Sequence, residues 1–250
     1  MLREETVFGP IHSRRLGTSL GINLLPTKGK ICNFDCIYCE CGWNRDGRAD
    51  KTLPTSAQVR HALEDALSSL LLEETHIDSI TFSGDGESTL HPEFAQIVDD
   101  TLRLLDIYFP SAKVSVLSNA TRVHIDSVFE ALKKVDSPIM KIDAPTNELI
   151  ARINRPAAGY DIARVIESLE RFDGDFILQT MFLKSRDFDS SSPEVLQGWM
   201  DIVRHLRPRE VMVYSIDRPT PEEGLEAFTA SRMRSLTAPL CEEGIKVSVY

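Results

Sequence analysis

Four cysteines crowd into ten residues: Cys32, Cys36, Cys39 and Cys41 lie within KICNFDCIYCEC, and the fifth, Cys241, stands far away. Thiolates at C-x3-C-x2-C spacing can wrap one soft metal centre within a single loop, whereas a disulfide framework would spread its cysteines along the chain. The spacing matches neither the C-x2-C-x2-C of bacterial ferredoxins nor the C-x4-C-x2-C of plant types. Three thiolates on a four-iron cube leave one iron open, and an open coordination position belongs to catalysis rather than to structure. Spacing by itself also admits a four-thiolate zinc site with Cys41 as the fourth ligand. A C-x-C pair makes a tight chelate, so Cys41 fits better beside the centre, as a neighbour or a later radical partner, than as a shared ligand.

Further polar groups follow apolar runs. In SGDGEST, Gly84 and Gly86 let backbone amides approach a ligand, Asp85 lies between them, and the Glu87 carboxylate can accept bonds from an ammonium. A capped strand-to-helix turn explains the same residues about as well. Ser118 and Asn119 end another apolar run. Lys141 and Asp143 share one face because strand side chains alternate, so they either meet a ligand together or neutralise each other inside. Gln179 is expected to point inward and Thr180 outward. An inward glutamine needs a hydrogen-bond partner, from a ligand or from the core.

The elements that must position these groups alternate in type. Strands are predicted over Ser19–Leu25, Ile77–Ser83, Lys113–Ser118, Pro138–Asp143, Asp175–Leu183, Glu210–Ser215 and Lys246–Tyr250. Val59, Leu63, Leu67, Leu70 and Leu71 recur at helical spacing after Pro54, and Phe94, Ile97, Val98, Leu102 and Leu105 do so after Pro92. Further helices are expected over Ile125–Lys134, Asp161–Phe172, Pro193–Leu206 and Ala227–Glu243. Such alternation predicts an α/β fold with parallel strands and right-handed crossovers. The count points to a partial (β/α)6 TIM-like barrel, one domain over residues 1–250, with its chemistry at the C-terminal ends of the strands.

Composition narrows the class of function. The 250 residues carry a formal net charge of −10, and residues 28 to 51 hold five basic and four acidic side chains, so no basic surface for general nucleic-acid binding is expected. No run of 18 apolar residues marks a membrane span, and MLREETVFGP has no apolar core for a secretory signal, which makes the cytoplasm the expected location.

With Tyr38 before its third cysteine, the C-x3-C-x2-C loop resembles the signature of the radical S-adenosylmethionine (SAM) superfamily. The resemblance implies that Cys32, Cys36 and Cys39 hold a [4Fe–4S] cluster, that its open iron chelates SAM, and that Tyr38 helps seat the adenine. One electron, from an external donor such as flavodoxin or ferredoxin, would cleave SAM to a 5′-deoxyadenosyl radical that abstracts hydrogen from substrate. The Gly84–Glu87 turn resembles the family's Gly-Gly-Glu-Pro motif, which holds the SAM amino group, with Asp85 in place of the first glycine and Ser88 in place of the proline. Ser118, Asn119, Lys141, Asp143 and Gln179 correspond to positions facing SAM. FGPIHSRRLGTSLGINLLP, INRPAAGYD and SIDRPTPEEGLEAF are similar to stand-alone iron–sulfur oxidoreductases related to wybutosine-synthesis enzymes. Arg14, Arg15, Arg155, Asp217 and Arg218 are therefore substrate-side expectations, since guanidinium groups suit carboxylates and phosphates. A small molecule, a peptide, a tRNA base or a partner protein receiving a glycyl radical are the substrate classes in play. A non-enzymatic zinc or iron–sulfur module is the rival of a different kind.

Overall fold

A computed structural model of the protein describes residues 5–13, 15–47 and 50–250, which leaves Arg14 outside the described residues. The chain divides into two compact units. The first takes the chain to Cys32, Asn44–Ser118 and Ile125–Pro138; the second takes Asn33–Trp43, Asn119–His124 and Ile139–Tyr250.

In the first unit, strands β1 (Val7–Ser13), β2 (Gly17–Ile22), β3 (Ser79–Phe82) and β4 (Lys113–Ser118) lie side by side in chain order. β1 pairs antiparallel with β2, while β2, β3 and β4 are parallel, as the connecting helices require. Helix α1 (Ser56–Leu72) opens with a reciprocal cap: Thr55 Oγ1 accepts from Gln58 N at 3.2 Å and Gln58 Oε1 accepts from Thr55 N at 2.8 Å. It buries Val59, Leu63, Leu67 and Leu70, each contributing about 1.5–3 kcal/mol of transfer free energy. Leu71, one residue off that stripe, is 52% exposed and leaves the expected apolar face. In α2 (Phe94–Tyr108) the buried set is Phe94, Ile97, Val98, Thr101, Leu104 and Leu105. Thr101 takes the place expected of Leu102, because its hydroxyl donates to Ile97 O at 2.8 Å and enters the core satisfied. Helix α3 (Asp126–Lys134) completes this unit.

In the second unit, β5 (Ser137–Lys141) is followed by two short helices, α4 (Asn147–Ile153) and α5 (Ile162–Glu170), and then by β6 (Ile177–Met181). A two-residue strand β7 (Leu183–Lys184) comes next, before α6 (Pro193–Leu206) and β8 (Glu210–Tyr214). β9 (Glu226–Ala227) pairs antiparallel with β7, and α7 (Ala230–Glu242) and β10 (Val247–Val249) end the chain. β5, β6, β8 and β10 lie in that order and run parallel. Thr180 faces helix α6: its hydroxyl donates to Ile142 O at 2.7 Å and accepts from Trp199 Nε1 at 3.0 Å, so the buried indole is satisfied. Trp199 and Phe182 meet edge to face beside it, 5.1 Å between centroids.

The expected strands and long helices are present with ends shifted by a few residues. The β1–β2 hairpin, helix α4 and the β7–β9 pair are additions to the expected set. Among the described residues, no helix is long and apolar enough to cross a membrane.

Candidate functional site

Each unit presents part of the expected site just past its strands. In the first, the chain leaving β3 enters the Gly84–Glu87 turn. Ile31 bridges to Gly86 like one more rung of the sheet, with Ile31 N donating to Asp85 O at 3.1 Å and Glu87 N to Ile31 O at 3.0 Å. Cys32 follows that rung directly, and its carbonyl accepts from Asn44 Nδ2 at 3.1 Å. Gly86 has φ +138°, and a Cβ built on it would stand 1.8 Å from Ile31 O, so only glycine fits there. The Asp85 side chain is fully buried and accepts from Asn23 Nδ2 at 3.3 Å, while Asn23 Oδ1 accepts from Asp85 N at 3.1 Å.

Glu87 is buried and caps the 3-10 turn Ser88–Leu90. Its Oε1 accepts from Thr89 N at 3.1 Å, from the Thr89 hydroxyl at 2.5 Å and from the Ser118 hydroxyl at 2.9 Å. The capping explanation of this turn is therefore realised, and Glu87 and Ser118, expected at one site, are bonded to each other.

In the second unit the cysteine loop Asn33–Trp43 rests on the end of α4. Asp35 N donates to Asn154 O at 2.8 Å, Ile37 N to Ile153 O at 3.0 Å, and Ala157 N returns to Asn33 O at 2.7 Å. The buried Asn154 amide is the hub. Its Nδ2 lies within hydrogen-bond reach of Cys36 Sγ at 3.3 Å, Tyr38 OH at 2.9 Å and Asp143 Oδ2 at 2.7 Å, three acceptors that share its two N–H groups. Asp143 also accepts from the Tyr38 hydroxyl and from Met181 N at 2.8 Å, and its Oδ1 lies 3.3 Å from Lys141 Nζ. The ammonium donates to Tyr214 OH at 2.6 Å and sits 4.9 Å from the ring centroids of both Tyr38 and Tyr214.

Lys141 and Asp143 thus share a face, as strand alternation requires, and they neutralise each other. Burial alone would lower the Lys141 pKa, but the Asp143 carboxylate and Tyr214 outweigh it and raise it. Burial, then Asp143, pushes the Cys36 thiol up to about 11 and the Tyr38 phenol well above its usual value. Gln179 stands beside Lys141 in the β5–β6 register, inward as expected, and its Nε2 is buried without a hydrogen-bond partner. Asn119 Nδ2 donates to Asn33 Oδ1 at 2.6 Å, and Asn119 Oδ1 accepts from the Thr121 hydroxyl at 2.7 Å.

The substrate-side arginines are placed differently. Arg155 stacks over Trp43, 4.6 Å to the centroid, and pairs with Glu222 at 3.0 Å; Arg218 pairs with Glu40 at 2.7 Å. Both pairs are solvent-exposed; the second ties the 218–222 loop to the cysteine loop and the first ties it to the segment after α4, each a positional effect worth about 1 kcal/mol or less. Arg15 and Cys41 are half-buried, and Asp217 is exposed.

Asn154 and Tyr214 escaped the sequence reading. Asn154 adjoins Arg155 in INRPAAGYD, where the arginine drew attention, and Tyr214 is the polar end of an otherwise apolar strand.

A bound cluster would require cysteines outside disulfides. None of the five forms one among the described residues, and thiolates are the donors an iron–sulfur cluster takes. Among the described residues no three His, Cys, Asp or Glu side chains converge as one metal ion demands. A four-iron cube, offering a separate iron to each thiolate, does not ask for that. For SAM, the unpartnered Gln179 amide is the matching observation: a buried donor awaiting an acceptor.

Residues 27–183 match the model of the radical SAM superfamily. The chain belongs to that superfamily and is an enzyme of it, with the family's α/β partial-barrel fold. At finer grain it is similar to a UPF0026 protein of Helicobacter pylori, 29% identical over 97% of this chain and 75% of that one, and to a UPF0026 protein of Synechocystis, 30% identical over 86% and 77%. A Brachyspira hyodysenteriae protein named GTPase Obg is 28% identical over 93% of this chain but only 33% of its own length. Among solved structures, a radical SAM methyltransferase from Sphaerobacter thermophilus superposes with a TM-score of 0.69 at 16% identity, over 93% of this chain and 65% of that chain. Streptococcus suis SuiB bound to S-adenosylmethionine gives 0.65 at 14%, over 89% and 49%. The chain thus spans about half to two thirds of those solved proteins.

Proposed function

We propose that this chain is a single radical SAM core domain that holds a [4Fe–4S] cluster through Cys32, Cys36 and Cys39 and cleaves SAM reductively, in the cytoplasm, with an external one-electron donor. When bound, cluster and SAM together supply a 5′-deoxyadenosyl radical able to abstract hydrogen from a small-molecule or peptide substrate. The observation that carries this reading is the anchored cysteine loop, whose Cys36 Sγ accepts from the buried Asn154 amide.

The chain's own groups then have distinct tasks. Asn154 N–H donation favours the thiolate that ligation needs and offsets burial, which otherwise keeps the Cys36 proton on sulfur. Tyr38, locked through its hydroxyl to Asp143, presents a ring fixed in orientation toward the adenine. Gln179 Nε2 donates to SAM or substrate, and Glu87, Ser118 and Asn119 line the SAM side with Gly84, Asp85 and Gly86 shaping the turn. Lys141 holds its proton between Asp143 and Tyr214 and serves as a fixed positive charge. Arg15, Arg155, Asp217 and Arg218 are the substrate-side groups, together with Arg14, which lies outside the described residues, and Cys41 stands beside the cluster as a neighbour. Peptide remains among the substrate classes because SuiB has been crystallised with its precursor peptide SuiA.

Anaerobic reconstitution tests this. Iron and sulfide content should reach four of each per chain, and reduction with SAM should release 5′-deoxyadenosine. Cys36→Ala should lose both, and Cys41→Ser should keep both. Loss of both in a folded Cys41→Ser protein would point to a closed four-thiolate site and overturn the enzymatic reading.

A further inference from the structure

A cavity of about 550 Å3 opens within the second unit, bounded by the start of the cysteine loop, the turn after Asn119, the Pro156–Asp161 segment and α5. None of its lining residues belongs to the set that would hold cluster or SAM, yet Asn33 and Phe34 in its wall directly follow Cys32. The volume suits a small organic ligand rather than a peptide strand.

Its lining has two characters. Part of it is apolar: Phe34 packs edge-on against Tyr160, 5.4 Å between centroids and 73° between planes, and Pro156, Ala157 and Val165 also line the space. The lining also includes Arg122, Arg164 and Arg171, three guanidinium groups in a chain whose net charge is −10. Arg122 is the innermost of them: it is half-buried, and its Nε is shut off from solvent without a hydrogen-bond partner. A buried donor left unpaired is costly, and a charged one more so, so this guanidinium, which lines the cavity, is not fully satisfied within the chain. Arg171 donates to Val123 O at 3.3 Å and is held facing the same space, while Arg164 is exposed at the mouth.

The acids of the lining do not fill that role. Asp161 caps α5, accepting from Ala163 N at 3.1 Å and from Asn147 Nδ2 at 3.2 Å, and its second oxygen lies 4.0 Å from Arg164 Nε. Glu167 is exposed. His124 turns its Nδ1 to Thr121 O at 3.0 Å, which leaves the far side of its ring for a ligand.

We propose that this cavity binds a small phosphomonoester, with the phosphate on Arg122 and Arg171 and the carbon body against Phe34, Tyr160 and Pro156. Guanidinium groups from separate segments suit a tetrahedral dianion, which offers oxygens in several directions, better than a planar carboxylate that a single fork can satisfy. The small volume of the cavity and the net charge of −10 on the whole chain favour a free small molecule over the phosphate of a nucleic-acid chain.

Calorimetric binding to the reconstituted protein, at fixed ionic strength and with saturating SAM so that its adenine pocket is blocked, tests the proposal. Phenyl phosphate should bind more tightly than inorganic phosphate, benzoate or phenol. Arg122→Gln should weaken it about tenfold or more, the loss expected when a charged hydrogen-bonding group is removed, while Arg103→Gln, on the exposed face of α2, should leave it unchanged. Arg164→Gln, at the solvent-exposed rim and harmless to folding, should weaken it by a smaller factor. The proposal is overturned if benzoate binds as tightly as phenyl phosphate or if both Arg122→Gln and Arg164→Gln bind like the parent. It is overturned equally if a 5′-phosphorylated oligonucleotide outcompetes phenyl phosphate by orders of magnitude, which would give the site to nucleic acid. SAM cleavage in the same preparations reports separately on the cluster, so failure of one reading does not disguise the other.

Discussion

Two of the side-chain amides buried in the second unit, Asn154 and Gln179, are used in opposite ways. Asn154 spends its Nδ2 on a sulfur, a phenol and a carboxylate at once, joining the cysteine loop to the end of β5. Gln179, just across the β5–β6 register from Lys141, keeps its Nε2 unpaired in an equally buried place. The first amide is part of the frame; the second is a donor whose partner the chain does not provide. Within a few residues the same chemical group therefore separates what holds the site together from what the site is to hold.

The frame should break hardest at its charge. Asp143→Ala leaves the Lys141 ammonium buried without its counter-ion, and denaturant unfolding should show a loss of about 3–5 kcal/mol. Replacing Lys141 and Asp143 together by apolar residues of similar volume should cost far less, since no charge is stranded. Equal losses for the single and double variants would refute the account of the pair as self-neutralising. Next in size is Asn154→Leu. It strips the two N–H donors that Asp143, the Tyr38 oxygen and Cys36 Sγ share, and should lower stability by about 1–3 kcal/mol and reduce iron uptake on reconstitution. Smallest in stability is Gln179→Leu. The unpaired Nε2 gives nothing to the fold, so unfolding should move by no more than about 0.5 kcal/mol, while SAM or substrate binding should weaken by roughly two- to tenfold. A stability loss on the scale of Asn154→Leu would place Gln179 in the frame and erase the contrast.

How much of this was legible in the sequence depends on the range over which each feature is encoded. The parallel strands and long helices were readable because apolar spacing and prolines act within a dozen residues. The cysteine loop was readable because its donors lie within one turn of chain. The hairpin strand β1 was hidden by Gly9 and Pro10, which weaken any strand signal. Helix α4 was hidden because seven residues carry too little periodicity, although Thr146 caps it in the ordinary way, accepting from Leu149 N. Asn154 and Cys36 are 118 positions apart, and Asn33 and Asn119 are 86 apart. No local pattern announces such pairs. The arginine-lined cavity was invisible for the same reason: Arg122 and Arg171 have no spacing that a motif could capture, and only the fold turns them to one space.

The turn at Gly84–Glu87 departs from the family's pattern at two positions, and the rung at Ile31 shows how far such drift can go. Asp85 enters that rung through its carbonyl and Glu87 through its amide, groups every non-proline residue possesses, so the backbone bridge itself places little demand on side-chain identity. Position 86 is different in kind, because any atom beyond the α-carbon would collide with the Ile31 carbonyl that sets the height of Cys32. The part of this corner that the bridge itself fixes is therefore a missing side chain, while Asp85 and Glu87 are held to their identities by other partners, Asn23 for the first and Thr89 and Ser118 for the second.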